Sequence, residues 1–264
     1  MSLADESLFI PSANSPFARG RAFEWNLVST RSTQFGYFDE LLGRPVWKGR
    51  TILDFGGNVG TFLAGAGSRV EQEHYWCIDL NRDVIEQGRR RYPRAHFVHY
   101  DRYNSQYNPG GVRYLPIPDC GLKFDIILAF SVFTHTDQSE MLELVGSLQR
   151  MLAPQGVLAF TFWDPNCDMS GSDCAYPLSS DLVRRHFYAP EADEKVRRAR
   201  WCIVINDRLY VEPGDEFCHQ IRNGEPLESY CSFFTADYVA SLFPQGMILP
   251  PVRPEWQYCC ILRS

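Results

Sequence analysis

The sequence predicts an α/β protein with a mostly parallel sheet and helices on both of its faces, and three observations carry that prediction. Between residues 50 and 163, short apolar runs alternate with helix-compatible stretches, the pattern of strands joined by crossover helices. One such run, Thr51-Ile52-Leu53-Asp54-Phe55, passes straight into the loop Gly56-Gly57-Asn58-Val59-Gly60. A second run, His74-Tyr75-Trp76-Cys77-Ile78-Asp79, also ends in an acid, 25 positions after Asp54.

The elements follow in chain order. Residues 1–48 are rich in aromatics and hold one expected helix, Thr33 to Leu42, stopped by Gly43 and Pro45; they are expected to form a lid segment. Residues 49–164 carry the alternation and form the expected core. Within it Met141, Val145, Leu148 and Leu152 recur at four, three and four positions, a single apolar stripe. Asp137 stands ahead of that helix as its N-cap, and Pro154-Gln155-Gly156 closes it. Beyond Pro165 the alternation lapses for about 65 residues, too long for a plain connection, so residues 165–233 are expected to be an inserted cap. Residues 234–264 then return to the core. Thr235 to Phe243 reads as a helix capped by Thr235, and Trp256 to Leu262 as a final strand.

The loop after the first strand has the chemistry of a nucleotide-type cofactor site. A strand end delivers it, and glycine lets backbone N–H groups approach a ligand. Its spacing is Gly56-x-x-x-Gly60 with Thr61 following, which lacks the third glycine of a dinucleotide loop and the Gly-Lys-Ser/Thr of a phosphate loop. Asp54 at the strand tip would repel a pyrophosphate and suit a cation. Asp79 stands where a carboxylate accepts hydrogen bonds from ribose hydroxyls. A ligand with an ammonium group, a carboxylate and a ribose satisfies all of this, and S-adenosylmethionine is such a ligand.

From here the chain resembles the class I S-adenosylmethionine-dependent methyltransferases. Asp54-Phe55-Gly56-Gly57-Asn58-Val59-Gly60 is similar to the family's first motif, with Asn58 in place of the usual middle glycine. Asp79-Leu80, His96 to Asp101, Phe124 to His135 and Leu148 to Leu158 resemble the later motifs in order. The likeness covers residues 50–164 and, more loosely, 230–264. It implies a Rossmann-like, doubly wound, mostly parallel seven-stranded sheet with an inserted cap and an N-terminal aromatic segment. It also implies cofactor contacts from Asp54, Gly56, Gly57, Asn58 and Gly60 in the loop, and from Asp79 and Leu80 at ribose and adenine. Asp101, Arg102 and Phe130 are further expected contacts, and Arg31 is placed to reach the cofactor carboxylate. His135 follows the fourth strand, facing the methyl group, either as a general base or as a structural hydrogen-bonding residue. Tyr37, Phe133 and Trp163, with Trp25 and Phe35, are candidates for lining an acceptor pocket. The basic stretch from Arg184 to Arg200, with His186, reads as a solvated helix face or as a lid over an acidic substrate.

Composition narrows the reading further. A net charge of −6 argues against nucleic acid as a partner, since neutralising phosphates needs a basic field. Ala129-Phe130-Ser131-Val132 is also not the Asn/Asp-Pro-Pro-Tyr/Phe run of enzymes that methylate DNA amino groups. No apolar run approaches the roughly 20 residues that span a bilayer, and Met1 to Glu6 carries no basic leader. Nine scattered cysteines without a C-x-x-C pair read as reduced, so a cytoplasmic location is expected and no metal site. The expected activity is methyl transfer to an oxygen, or less readily a nitrogen, of a small molecule. A non-catalytic cofactor-binding partner or sensor and a nicotinamide-dependent oxidoreductase are the rival readings. The acceptor and the oligomeric state stay open.

Overall fold

The computed structural model describes residues 33–167, 194, 198–206, 208–227, 229–252 and 257–264. Trp25, Arg31 and most of the basic stretch from Arg184 to Arg200, including His186, lie outside the described residues. In chain order the first elements are α1 (Thr33–Leu41), β1 (Ile52–Phe55), α2 (Thr61–Ala66), β2 (Tyr75–Asp79), α3 (Arg82–Arg91) and β3 (His96–His99). Then come β4 (Phe124–Ala129), α4 (Gln138–Arg150), β5 (Leu152–Phe162), β6 (Trp201–Ile205), β7 (Arg208–Val211) and α5 (Asp215–Asn223). The chain ends with β8 (Tyr230–Phe234), α6 (Ala236–Leu242), β9 (Met247–Leu249) and β10 (Tyr258–Arg263).

Seven strands form one mostly parallel sheet in the order β3-β2-β1-β4-β5-β10-β9, with β10 antiparallel to both of its neighbours. The central strands read as apolar runs because both faces are covered. Alternate residues serve opposite faces: Leu53, Phe55, Ile127 and Ala129 enter one core cluster, and Ile52, Ile126, Leu128 and Phe130 the other. From β1 the chain crosses to β2 on one side, while β4 flanks β1 on the other. Connections therefore diverge at the carboxyl ends of β1 and β4, where a doubly wound sheet opens its ligand crevice.

Two expectations change in detail. Residues 33–48, the described part of the segment expected as a lid, pack into the core. Phe35, Phe38 and Trp47 cluster with Phe62 of α2, and the Phe35 and Phe62 ring centroids lie 5.3 Å apart. The stripe helix α4 ends at Arg150, so Leu152 opens β5 instead of closing the helix. Pro154 cannot continue a helix. The β4–β5 register slips between Phe124↔Leu152 and Ile126↔Val157, and Gln155 takes up the slack at φ 64°. The start of α4 is as expected: Asp137 Oδ1 accepts from the Glu140 N–H at 2.9 Å.

Between β5 and α6, residues 201–234 build a second sheet, β7-β6-β8, all antiparallel, with every residue of β6 and β8 buried. The Phe234 N–H donates to the Trp163 carbonyl at 2.8 Å, so β8 rejoins the core just past the end of β5. Helix α5 is fastened to the loop after β3. The Arg113 guanidinium donates to the carbonyls of Arg222, Asn223 and Gly224, satisfying groups that a helix C-terminus leaves open. Arg222 in turn pairs with Asp137 at 2.9 Å. Among the described residues no helix is long and apolar enough to cross a membrane.

Candidate functional site

The loop after β1 is a set of left-handed turns. Gly56, Asn58 and Gly60 have φ of 76°, 55° and 82°, a region that glycine enters freely and asparagine tolerates best among the others. The Gly56 N–H donates to the Ile78 carbonyl at 2.7 Å, tying the loop to β2. Each glycine is also demanded by a protein neighbour. A Cβ on Gly56 would overlap Val132, one on Gly57 would lie 2.5 Å from the Asp54 carboxylate, and one on Gly60 would press on Phe97 and Tyr92. These glycines are thus explained by packing before any ligand is considered.

The two strand-end acids differ sharply. Asp54 is 2% exposed and accepts a hydrogen bond from the Tyr75 hydroxyl at 2.5 Å. Burial pushes its pKa up to about 7, against the lowering effect of the Tyr75 bond and with a smaller push from the Asp79 charge. Asp79 is held by backbone amides: Asn58 N–H donates to Oδ2 and Asn81 N–H to Oδ1, both at 2.9 Å. Its pKa is also raised by burial, and those two amides oppose the rise. A carboxylate has about four acceptor sites, so the group that shapes the loop keeps capacity to accept from a ligand hydroxyl. The Asn58 side chain folds back, its Oδ1 accepting from the Val59 N–H at 2.8 Å.

Three other predicted contacts have their polar groups occupied or packed. Asp101 Oδ1 accepts from the Asn108 side-chain amide at 3.1 Å. Leu80 packs against the core cluster, and its carbonyl contacts His99 Nε2 at 3.0 Å. Arg102, expected beside the cofactor, is 3% exposed and turned inward, where it pairs bidentately with Glu143 and with Glu140 Oε1 at 3.1 Å. Its donors go instead to Glu140, Glu143, the Tyr100 hydroxyl and the Leu115 carbonyl.

The turn after β4 is equally constrained. Ser131 has φ of 57°, and its N–H donates to Thr161 Oγ1 at 2.7 Å, while Thr161 donates to Gln257 Oε1. Val132 is thereby set against Gly56. His135 closes the following 3₁₀ turn, its Nδ1 2.7 Å from the Tyr230 carbonyl and its Nε2 3.2 Å from the Tyr107 hydroxyl. Burial lowers its pKa to about 4, against the raising effect of the Tyr230 carbonyl. Neutral imidazole with Nε2 already accepting is poorly matched to a base working near neutrality.

The aromatics expected to line a pocket do not gather in one. Phe133 is fully buried beneath the turn, 5.0 Å from the Phe160 ring. Tyr37 and Phe130 meet edge to face inside the core, and the Tyr37 hydroxyl donates to the Gln257 carbonyl. Trp163 lies 5.9 Å from His135 and 5.3 Å from Phe233, at the seam between the two sheets. A broad cleft does exist, lined by Lys48, Glu71, Gln72, His74 and Arg94. It borders the amino end of β2, away from Asp79, and contains none of the loop acids.

Several residues that matter here were not singled out in the sequence. Tyr75 could have been found from strand alternation, since it shares a face with Cys77, the partner of Asp54 across the β1–β2 ladder. Tyr107, Asn104 and Tyr230 come from distant loops and strands. Thr61 Oγ1, at the first residue of α2, is buried without a hydrogen-bond partner among the described residues. An orphaned hydroxyl there suits a ligand that completes the loop.

Known proteins agree with this geometry. Residues 53–158 match a family model described as a methyltransferase domain. A solved S-adenosylmethionine-bound amino pentose methyltransferase, CalS10 of Micromonospora echinaspora, is similar over 92% of this chain and 96% of its own, at 15% identity and a TM-score of 0.55. An S-adenosylmethionine-dependent methyltransferase of Clostridium acetobutylicum is similar over 93% and 98%, at 12% identity and a TM-score of 0.53. A putative O-methyltransferase of Nostoc punctiforme is similar over 95% of this chain and 61% of its own, at 13% identity and a TM-score of 0.51. At such identities the likeness is one of fold, and the domain model adds a methyltransferase-domain match over residues 53–158. The loop, the strand-end acids and the seven-stranded order fit the methyltransferase likeness, and residues 53–158 are where the methyltransferase domain matches.

Proposed function

We propose that the protein transfers a methyl group from S-adenosylmethionine to a hydroxyl oxygen of a small molecule. The observation that carries this is Asp79, fixed at the end of β2 by the Asn58 and Asn81 amides with lone pairs left for a ribose. Nitrogen is the second choice, favoured by the fold likeness to a glycopeptide N-methyltransferase, at 12% identity and a TM-score of 0.50. When bound, the cofactor supplies an electrophilic methyl on a sulfonium whose leaving group departs neutral. The protein's task is then mainly to hold two partners in line, an effect worth about 7–11 kcal/mol in well-oriented systems. Asp79 accepts the ribose hydroxyls, Asp54 faces the cationic methionyl end, and the Ser131–His135 turn borders the acceptor. The 165–233 insertion, whose strand β8 supplies the Tyr230 carbonyl beside His135, encloses a small acceptor. A cytoplasmic location fits this reading.

Calorimetry tests it directly. S-adenosylhomocysteine is expected to bind and NAD to show no binding; the reverse ends the proposal. Asp79→Ala is expected to weaken S-adenosylhomocysteine by about 1.5–3 kcal/mol, the scale of hydrogen bonds to a charged group. Unchanged affinity would remove Asp79 from the site.

Asp54 adds a pH signature. Its pKa of about 7 leaves it part-protonated near neutrality. A bound ammonium favours the carboxylate, so binding releases a proton and affinity rises as pH climbs through about 7. Titrations in buffers of different ionisation enthalpy measure that release. A heat of binding independent of the buffer near pH 7 would place Asp54 out of the ligand's reach.

A further inference from the structure

We infer that Tyr107 is the group that meets the methyl acceptor, and that His135 acts through it by fixing the direction of its hydroxyl proton. The inference rests on the methyltransferase reading above and adds a selection rule to it. The direction of each hydrogen bond follows from its neighbour. The Tyr230 carbonyl can only accept, so the proton of the neutral imidazole sits on Nδ1 and donates at 2.7 Å. Nε2 then carries only a lone pair, and the 3.2 Å contact to Tyr107 is made by the phenolic O–H donating to it. With its one proton committed, the Tyr107 oxygen is left purely as an acceptor.

The pair is built, and by one side chain. Asn104 Oδ1 accepts from the N–H groups of Gln106 and Tyr107 at 3.0 and 2.9 Å, and its amide nitrogen donates to the His135 carbonyl at 3.2 Å. Reciprocal backbone bonds between Asn104 and Asn108 close the turn that presents Tyr107. The rings meet edge to face at 4.9 Å and 87°. Tyr107 is nonetheless 43% exposed, which is not how a core aromatic is held. Burial of its hydroxyl raises its pKa, and the Cys231 and Asp79 charges add smaller pushes in the same direction. Its partner His135 joins the turn after β4 to the Tyr230 carbonyl of β8, so the pair stands where the core meets the inserted sheet.

An acceptor there must bring a hydrogen-bond donor. Alcohols and phenols fit, as do amines that carry an N–H. Ethers do not, so a hydroxyl loses this contact once it is methylated, and the same residue that holds a substrate lets its product go. His135 is on this account a positioning residue, not the base.

The test uses the full chain saturated with S-adenosylhomocysteine, whose binding is measured first. Saturation-transfer NMR then compares phenol with anisole and cyclohexanol with methoxycyclohexane. In the wild type the hydroxyl member of at least one pair is expected to bind about fivefold tighter, the scale of one neutral hydrogen bond. Tyr107→Phe is expected to abolish that preference while leaving S-adenosylhomocysteine affinity within about twofold. Absence of discrimination in the wild type, whether both members bind or neither does, overturns the inference, as does a preference that survives in Tyr107→Phe. Nitrogen-15 spectra of His135 give an independent readout. Nδ1 protonated and Nε2 bare at pH 7, with only Nε2 shifting in Tyr107→Phe, is the expected signature; a proton on Nε2 overturns it. Failure of S-adenosylhomocysteine to bind at all would instead defeat the methyltransferase reading, and the His135 spectra would still report on the pair.

Discussion

Arg102→Met is expected to destabilise the fold by about 3–5 kcal/mol, the cost of leaving a buried carboxylate without its partner. The guanidinium is enclosed by Glu140, by both Glu143 oxygens and by the Leu115 carbonyl. Glu143 is part-exposed and will rehydrate, but Glu140 is 8% exposed and has nowhere to go. Burial already raises the Glu140 pKa to about 7, against the lowering pull of Arg102. A raised carboxylic acid takes up its proton in the folded state first, so its penalty grows as pH rises through the window from about 4.5 to 7. Removing Arg102 moves the upper edge of that window higher. The deficit should therefore be larger at pH 8 than at pH 5.5, and Arg102→Met/Glu140→Gln should recover part of it. Thermal melts would read a fall of roughly 6–20 °C. A loss under about 1 kcal/mol at pH 8, on the scale of a surface ion pair, would show that the cluster is wetter than its geometry indicates.

Gly56→Ala should cost about 2–5 kcal/mol, from left-handed strain of about 1–2 and overpacking of about 1–3. The added methyl would meet Val132, a β-branched side chain with little rotamer freedom, in the turn that also carries Ser131 and His135. The loop after β1 and the turn after β4 are thus in direct contact, and the substitution should weaken S-adenosylhomocysteine as well as the fold. Gly56→Ala/Val132→Ala should regain the packing part and keep the strain. Urea denaturation with calorimetry on the three variants separates the two contributions. A single variant as stable as wild type would mean that the loop takes another path.

Much of this was legible in the sequence wherever the signal is local. The Asp137 cap, the Met141-Val145-Leu148 stripe and the order of strand-end acids all depend on neighbours within a turn or a strand. The end of α4 was misplaced because Leu152 continues the stripe by spacing, whereas a register slip against β4 makes it a strand residue. Arg102 was misassigned for a different reason. Its partners lie 38 and 41 positions away on α4, and nothing local distinguishes an arginine turned inward from one facing a ligand. The Tyr107–His135–Tyr230 chain spans 28 and then 95 positions, so only the fold brings it together. The inserted sheet was hidden too. Trp201–Ile205 is buried throughout, and such a run lacks the alternation that marks a half-exposed strand.

The insertion leaves the core after Trp163 and comes back beside it, with the Phe234 amide on the Trp163 carbonyl and the Ala236 amide on Asp164. Exit and return share one doorway, so exchanging everything between them for another polypeptide would leave the spacing of the flanking strand and helix untouched. The strand and helix that flank the insertion are in that sense positioned independently of its sequence, which is free to diverge at its own speed.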